Sequence, residues 1–352
     1  MKKYIIIGNA QSVHMIKWVK QLVNYFDVYV ISSTGTHKDI QAVVKDSNIF
    51  NLNVQVKEEG GNTGLLRKYN KVRKIIKKID PDFVNSHYIT SHGFLAALIK
   101  KTTGLKFKLI QSAWGSDILV TPFKNRFYYG ITKFCLNSAD LATSDSEYMT
   151  KVLNGISPVE VSTFIFGIDR LPDVDISEKD ENLFYSNRII SGNYNIDEVI
   201  RFFKRVSEIN PDAELLISND GPDREKIVNL TKELGLDNRV IFKGFVSLEA
   251  QVALYKRAQF YISIPTSDST SVSLIEAMAF GCIPVVSDIP ANKEWIKNSE
   301  NGIIYYSETG FEELQNLLKN KDTVFKENRR IVAQRAIFPE SIKKYVEIIN
   351  KL

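Results

Sequence analysis

The residues best suited to chemistry lie in one stretch: Ser267-Asp268-Ser269-Thr270-Ser271-Val272-Ser273-Leu274-Ile275-Glu276-Ala277-Met278-Ala279-Phe280-Gly281-Cys282-Ile283-Pro284-Val285-Val286. Its pattern predicts a polar loop after a strand, then a helix, a glycine stop and another strand. Small residues at Ser269, Thr270 and Ser271 let a ligand approach the backbone closely. The N–H groups of Thr270, Ser271 and Val272 would open a helix whose N-terminus carries about half a positive charge. That suits a phosphate or diphosphate. Glu276, about two turns in, can accept hydrogen bonds from sugar hydroxyls. The same pattern also describes a plain βαβ unit with a Ser/Thr cap.

Other reactive side chains are few. His87 stands in Asn85-Ser86-His87-Tyr88 at a strand end, and His14 follows the loop Gly8-Asn9-Ala10-Gln11-Ser12-Val13. Both are candidates, although a lone histidine at a strand end is more often structural. His92, at a helix start, and His37, in an exposed loop, read as structural. The loop after the first strand lacks the GxGxxG pattern, which weighs against a nicotinamide cofactor. Asp173-Val174-Asp175 has the spacing of a divalent-cation clamp on a diphosphate. It lies in a polar stretch with no apolar strand before it, so no metal is expected. Cys135 and Cys282 are the two cysteines, which excludes a disulfide framework or a Cys-based zinc site.

The elements that must position these groups follow from length and pattern. With 352 residues, 44% hydrophobic and 25% charged, the chain reads as a globular protein of two domains. No run is apolar enough to cross a membrane, and the apolar run after Met1-Lys2-Lys3 is too short for a signal peptide. A cytoplasmic protein is expected. Strands are expected near 4–7, 28–31, 83–85, 107–111, 141–143 and 161–166, with helices near 12–24, 65–79, 91–103 and 125–137. After the polar stretch 169–182, read as a linker, strands recur near 183–186, 214–218, 240–243, 260–264, 283–287 and 303–305. Helices fall near 196–208, 224–234, 248–256 and 271–280. Such βαβ alternation implies two doubly wound parallel-sheet domains facing a cleft, with ligands outside the carboxyl ends of the strands.

The net charge of +5 is unevenly spread. Residues 1–170 hold 23 Lys and Arg against 13 Asp and Glu; residues 171–352 hold 23 against 28. The first half therefore faces something anionic, or simply carries a soluble charged surface. Its densest part is Leu65–Ile79, where Leu65, Tyr69, Val72, Ile75, Ile76 and Ile79 recur at helical spacing among seven cations and no acid. Lys100, Lys101, Lys106 and Lys108 form a second cluster. Anionic lipid attracts each nearby Lys or Arg by about 1 kcal/mol. Few aromatics are interleaved and no nucleic-acid motif is present, so a membrane surface is favoured over nucleic acid.

The stretch from Asp268 to Val286 resembles the donor-site signature of the retaining glycosyltransferases of family four. Their pattern is a carboxylate, seven residues, then Glu-Ala-Met-Ala-x-Gly-x-Pro-Val-Val. Asp268 stands where the family usually has Glu. Ser186-Asn187-Arg188 resembles the segment whose Arg binds the donor diphosphate, and Asn193 stands in place of the family's Lys. Asp220-Gly221-Pro222 resembles a Gly-rich turn, and Val240–Phe245 resembles the segment before the base-reading backbone, at Gly244 and Phe245. Ile165-Phe166-Gly167-Ile168-Asp169 and Ala139–Ser146 match further family segments. Ser112-Ala113-Trp114-Gly115-Ser116-Asp117 resembles Thr-x-His-Gly-x-Asp, with Trp114 in place of a sugar-contacting His. His87 is the substitute candidate. The matches keep their order over about 300 residues of the chain.

This resemblance implies the GT-B fold. Its acceptor-side domain would be residues 1–170 with the helix 339–352 packed back on it, and its donor domain residues 171–338. It implies a metal-independent, retaining transfer by front-face attack from a nucleotide-diphosphate sugar, UDP more often than GDP, with no cofactor. Arg188, Asp268 and Glu276 would be catalytic. Arg188, Asn193, Gly244, Phe245, Thr270, Ser271, Val272 and Glu276 would bind the donor. Gly8, Asn9, Ser12, His14, His87, Trp114 and Asp117 would line the acceptor side. The acceptor would be a carbohydrate or polyprenyl-linked glycan in bacterial surface polysaccharide synthesis of the lipopolysaccharide or O-antigen type. The protein would be peripheral at the inner face of the plasma membrane. The alternatives are a nucleotide-sugar epimerase of the same fold and a catalytically silent partner subunit.

Overall fold

The computed structural model describes residues 1–56 and 62–352. They divide into two units: Met1–Phe166 with Pro339–Leu352, and Gly167–Phe338. Runs of Ile, Val, Leu and Phe bounded by polar turns form strands buried on both faces, the pattern of a covered parallel sheet.

In the first unit the strands are β1 (Lys3–Gly8), β2 (Asp27–Ser32), β3 (Ile49–Asn51), β4 (Phe83–His87), β5 (Lys108–Ser112), β6 (Leu141–Ser144) and β7 (Val161–Thr163). All pair in parallel, in the order β3-β2-β1-β4-β5-β6-β7. The chain reverses its direction of travel between β1 and β4, so the crevice of this sheet opens where Gly8 and His87 end their strands. The second unit holds β8 (Asp180–Ser186), β9 (Glu214–Ile217), β10 (Val240–Phe242), β11 (Ala258–Ser263), β12 (Ile283–Ser287) and β13 (Ile303–Tyr305). Their order is β10-β9-β8-β11-β12-β13, again all parallel, with the reversal between β8 and β11. Phe184 on β8 stacks on Phe260 of β11 at 4.5 Å, which ties the two central strands together through the core.

The helix Phe338–Ile349 begins at the boundary between the units. Its Tyr345 is fully buried in the first unit, edge-on to Trp18 and Phe164, and its hydroxyl meets that of Tyr4 at 2.5 Å. Burial raises both phenol pKa values, so the two hydroxyls stay neutral and share a proton donor and acceptor role.

Several elements differ from the sequence expectation, each for a physical reason. The expected helix over 65–79 is two helices, Thr63–Leu66 and Tyr69–Ile79, broken at Lys68. Gly64 and Asn70, both poor helix formers, flank the break. The strand expected over 161–166 stops at Thr163, because its partner β6 ends at Ser144 and offers no further ladder. The linker expected over 169–182 is shorter, since β8 already starts at Asp180, paired with Ala258. The helix Glu147–Ile156, capped by Ser146, and the strand β3 were not expected; neither were the helices Phe311–Lys319 and Lys321–Arg335.

Tyr345→Ala should lower the unfolding free energy by about 3–5 kcal/mol, the cost of a large cavity in a packed core. Tyr345→Phe should cost about 1–2 kcal/mol, because the Tyr4 hydroxyl loses its buried partner. Urea unfolding of the two variants beside wild type measures both.

Candidate functional site

In the second unit the carboxyl ends of β8 and β11 bring distant residues together. Arg188 follows β8 directly. Its Nη2 donates to Asp268 Oδ2 at 2.6 Å, and its Nη1 donates to the hydroxyls of Ser271 at 2.9 Å and Ser273 at 2.8 Å. The Tyr194 ring lies 4.3 Å from the guanidinium carbon, a cation–π contact. Ser271 is the N-cap of the helix Val272–Ala279, accepting from Leu274 N. The guanidinium thus sits at the positive end of a helix. A cation and the partial positive charge of a helix end share one place, which is an arrangement suited to an anion.

The Arg188 side chain is only 11% exposed. Burial opposes its charge, but Asp268 and the surrounding tyrosines outweigh that and hold its pKa above the ordinary arginine value. Burial pushes the Asp268 carboxyl up; Arg188 and the Ser269 N–H, which donates to Oδ1 at 3.0 Å, pull it back. A second tier supports the pair. Asn187 donates to the Tyr255 hydroxyl at 2.9 Å and accepts from the Tyr261 hydroxyl at 2.9 Å. Tyr255 in turn donates to the Ser273 carbonyl at 3.1 Å. Burial raises the Tyr261 pKa to about 12, opposed by Arg188, so the phenol stays a donor. The turn Asp220-Gly221-Pro222 closes against Ile190 by two backbone bonds. A Cβ on Gly221 would meet the Ile190 carbonyl oxygen at 2.2 Å, so only glycine fits.

The other expected donor-side residues are placed as follows. Glu276 is half-buried on the same helix, its Oε2 accepting from Gln251 at 3.2 Å. Thr270 and Ser271 are buried and Val272 is half-buried at the helix start. Asn193 is exposed; its amide donates to the Ser267 carbonyl at 3.0 Å and its own carbonyl accepts from Thr266 N, so it ties two loops together. Gly244 and Phe245 lie after the edge strand β10, and Phe245 is 79% exposed, making none of these contacts.

In the first unit the ends of β1 and β4 gather an aromatic cluster. The His14 ring lies 4.7 Å from Trp114 and 4.7 Å from Phe166, and His87 lies 5.0 Å from Trp114. Gly8 admits this packing, since a Cβ there would meet the His87 Cβ at 3.3 Å and the Met15 sulfur at 3.0 Å. His14 Nδ1, His87 Nε2 and Trp114 Nε1 are buried without a hydrogen-bond partner. Burial, then Lys17, lowers the His14 pKa to about 4. Burial, then His92 and His14, lowers that of His87 to about 3. Burial lowers His92 to about 4 despite its bond to the His87 carbonyl.

Asn9 and Ser12 shape the loop between them: Asn9 accepts from Thr34 Oγ1 at 2.7 Å, and Ser12 caps the helix Val13–Leu22. Asp117 is buried, with its two oxygens accepting the N–H groups of Trp114 and Ile89. It therefore ties the Trp114 loop to the Ile89 backbone. Asp175 accepts from Ser177, and among the described residues no group of three or more His, Cys, Asp or Glu could hold a metal. Sequence reasoning missed Asn187, Tyr255, Tyr261, Ser273 and Gln251 as supports. Only the position of Asn187 between Ser186 and Arg188 signalled any of them.

Residues 3–146 match the family described as glycosyl transferase 4-like, and residues 169–336 match the glycosyl transferases group 1. The N-acetyl-alpha-D-glucosaminyl L-malate synthase of Bacillus anthracis is 24% identical over 257 residues, 68% of this chain and 65% of its own length. The alpha-monoglucosyldiacylglycerol synthase of Streptococcus pneumoniae is 25% identical over 171 residues, 46% of this chain and 39% of its own. The chain thus spans less than two thirds of the length of these relatives. The solved structure of Anabaena HepE in complex with UDP and glucose covers 100% of both chains with a TM-score of 0.79 at 14% identity. The shared architecture is the GT-B fold of two parallel-sheet α/β units.

The buried histidines make the first unit sensitive to acid. Their native pKa values, about 4, 3 and 4, lie below the ordinary histidine value of 6.5, so between those limits the unfolded chain binds protons that the native state refuses. Asp117 acts oppositely and more weakly: burial raises it to about 6 from 3.8, so the native state holds one proton that the unfolded chain has released. Stability should therefore fall as pH drops from about 6.5 towards 4, by about 1.4 kcal/mol per pH unit for each unmatched proton. His87→Gln should make that slope shallower in urea unfolding at a series of pH values. An unchanged slope would mean that His87 is charged in the native state.

Proposed function

The chain belongs to the glycosyltransferases of the 4-like and group 1 type, and from that membership we propose that it moves a sugar from a nucleotide-diphosphate donor to a carbohydrate or lipid-linked acceptor. The observation that carries this reading is the buried guanidinium of Arg188 at the N-terminus of the Val272–Ala279 helix. Departure of a nucleoside diphosphate is the difficult step, because negative charge leaves while positive charge grows on the sugar ring. The Arg188 fork and the backbone N–H groups at Thr270–Val272 stabilise the leaving anion. They are already oriented, so little reorganisation is needed during reaction. The diphosphate takes over the contacts that Nη1 makes with Ser271 and Ser273.

Glu276 accepts from the ribose hydroxyls while Gln251 fixes its carboxylate. Asp268, held by Arg188 and Ser269 N, orients the sugar hydroxyls near the reacting carbon. No metal is required, since a guanidinium and a helix end already meet the diphosphate charge. The transfer proceeds with retention by front-face attack, as family membership suggests. UDP is the favoured nucleotide, in line with the UDP bound by HepE. The first unit receives the acceptor, and its exposed cations place it at an anionic membrane. The name of the pneumococcal relative, a glucosyldiacylglycerol synthase, fits an acceptor carried by lipid. Within that reading the product enters a bacterial surface glycan.

Arg188→Ala and Glu276→Ala should each lower transfer from a radiolabelled UDP-sugar to a lipid extract by about a hundredfold or more while the fold is kept. Thermal shift with a panel of nucleotide sugars first identifies the donor. Undiminished transfer in both variants would remove these residues from the site, and conversion of the nucleotide sugar with no acceptor present would make the protein an epimerase. Neutralising Lys74, Lys77 and Lys78 together to Gln should weaken binding to phosphatidylglycerol vesicles several-fold. Equal binding would move the basic helix to another role.

A further inference from the structure

Three helices of the first unit, Tyr69–Ile79, Phe94–Thr103 and Arg126–Asn137, lie side by side, the middle one packed against both neighbours. Residues 62–140, which contain them, hold 14 Lys and Arg against four acids, Asp80, Asp82, Asp117 and Asp140, and Asp140 pairs with Lys100 and Lys108, leaving the cations of the Tyr69–Ile79 helix as the unopposed part. Asp117 is buried and bonded to backbone, so it adds nothing to the outer surface. The helices themselves contain no acid.

Beside this cationic face stands a feature that charge alone does not explain. The turn from Val120 to Phe127 presents Val120 at 40%, Phe123 at 61% and Phe127 at 71% exposure. It is a rigid turn. Thr121 and Pro122 are buried, Phe123 N bonds the Val120 carbonyl, and Asn125 caps the next helix through Tyr128 N. Holding two phenylalanine rings in water is unfavourable, and a grouped exposed apolar patch marks an interaction surface. Lys124 and Arg126, both exposed, alternate with the rings. Aromatic side chains interleaved with cations match the water–lipid interface, where rings enter the acyl boundary and cations meet anionic headgroups.

We infer that the Val120–Phe127 turn is a wedge that inserts into an anionic bilayer, with the three-helix basic face lying on the headgroups. This rests on the membrane reading given above and goes beyond it, because it names the inserting residues and the orientation they impose. The turn follows β5, at the carboxyl end of the sheet, on the same end as His87 and the Trp114 loop. Insertion therefore brings the acceptor end of this unit to the bilayer surface, where the sugar of a lipid-linked acceptor is displayed.

The test uses the full chain with Phe123→Trp, whose indole reports its surroundings; Trp18, Trp114 and Trp295 are buried or half-buried and supply a constant background. With vesicles of equal parts phosphatidylglycerol and phosphatidylcholine, the new emission should shift to the blue and become protected from acrylamide. With pure phosphatidylcholine neither change should occur. The double variant Phe123→Ser, Phe127→Ser should bind the anionic vesicles about tenfold or more weakly, with the loss persisting at high salt. The lysine variants should instead lose the salt-sensitive part.

Vesicle binding with no blue shift and no loss in the double variant would overturn the wedge while leaving the membrane reading intact. Absence of vesicle binding by wild type would overturn both. A concentration-dependent dimer that the double variant abolishes, without a vesicle response, would assign the patch to a second copy of the chain and overturn the inference. Donor-induced thermal shift should be equal in all these proteins, which separates a failure at the membrane from a failure of the donor site.

Discussion

The second unit is organised around the cost of burying a guanidinium. Arginine does not give up its proton in a protein, so Arg188 cannot escape desolvation by becoming neutral. It must be paired and hydrogen-bonded, or the fold loses several kcal/mol. Its partners, Asp268, Ser271 and Ser273, lie 80 or more residues away in the chain. They reach it only because β8 and β11 pair side by side. Folding of the sheet and assembly of the site are thus one event. The Asn187 amide, held between the two tyrosine hydroxyls, fixes the end of β8 at the height where the fork meets the helix start.

The departures from the family pattern make sense inside this constraint. A lysine where Asn193 stands would add a cation beside Arg188, whereas Asn193 spends its amide on the Ser267 carbonyl and fixes the loop that carries Asp268. A short carboxylate at 268 suffices, since it already reaches Nη2 at 2.6 Å. In the first unit Trp114 fills the space between His14 and His87, and burial keeps both imidazoles neutral. Asp117, through two accepted backbone N–H groups, holds the tryptophan loop.

Alternation of apolar runs and amphipathic helices was enough to read the two parallel sheets, because strands buried on both faces leave a strong hydrophobic signal. Elements that rest on the surface left a weaker one. The helix Lys321–Arg335 is polar on most sides and β3 is three residues long, whereas the apolar face of Phe311–Lys319, with Phe311, Leu314 and Leu317 in the core, was a periodic signal that the sequence reading passed over. At the site, the residues named by motif were legible: Arg188, Asp268, Ser271 and Glu276 share one neighbourhood. The tier beneath them was not. Tyr255 and Tyr261 read as ordinary core aromatics, and only the folded geometry reveals that their hydroxyls converge on Asn187. Exposure of Phe123 and Phe127 was equally illegible, because an aromatic residue flanked by polar neighbours, as in Thr121-Pro122-Phe123-Lys124-Asn125-Arg126-Phe127, looks the same whether it anchors in the core or faces the solvent.

The two switch points differ in kind, and the difference tells where charge is handled. At the ends of β8 and β11 stand a guanidinium, the hydroxyls of Ser271 and Ser273 and a helix terminus, all suited to an anion. At the ends of β1 and β4 stand neutral imidazoles and an indole, with Lys17 over the Phe166 ring as the nearby cation. Much of the positive charge of the first unit is instead carried on its helices, as in the Tyr69–Ile79 helix. A chain that needed those cations for its small-molecule substrate would place them at the strand ends. Their position on the helices argues for a partner that is extended, anionic and met from outside, and the rigid turn carrying Phe123 and Phe127 adds the requirement that this partner accept apolar rings. The bilayer proposed above meets both conditions, whereas a nucleotide, small and bound at strand ends, fails the first.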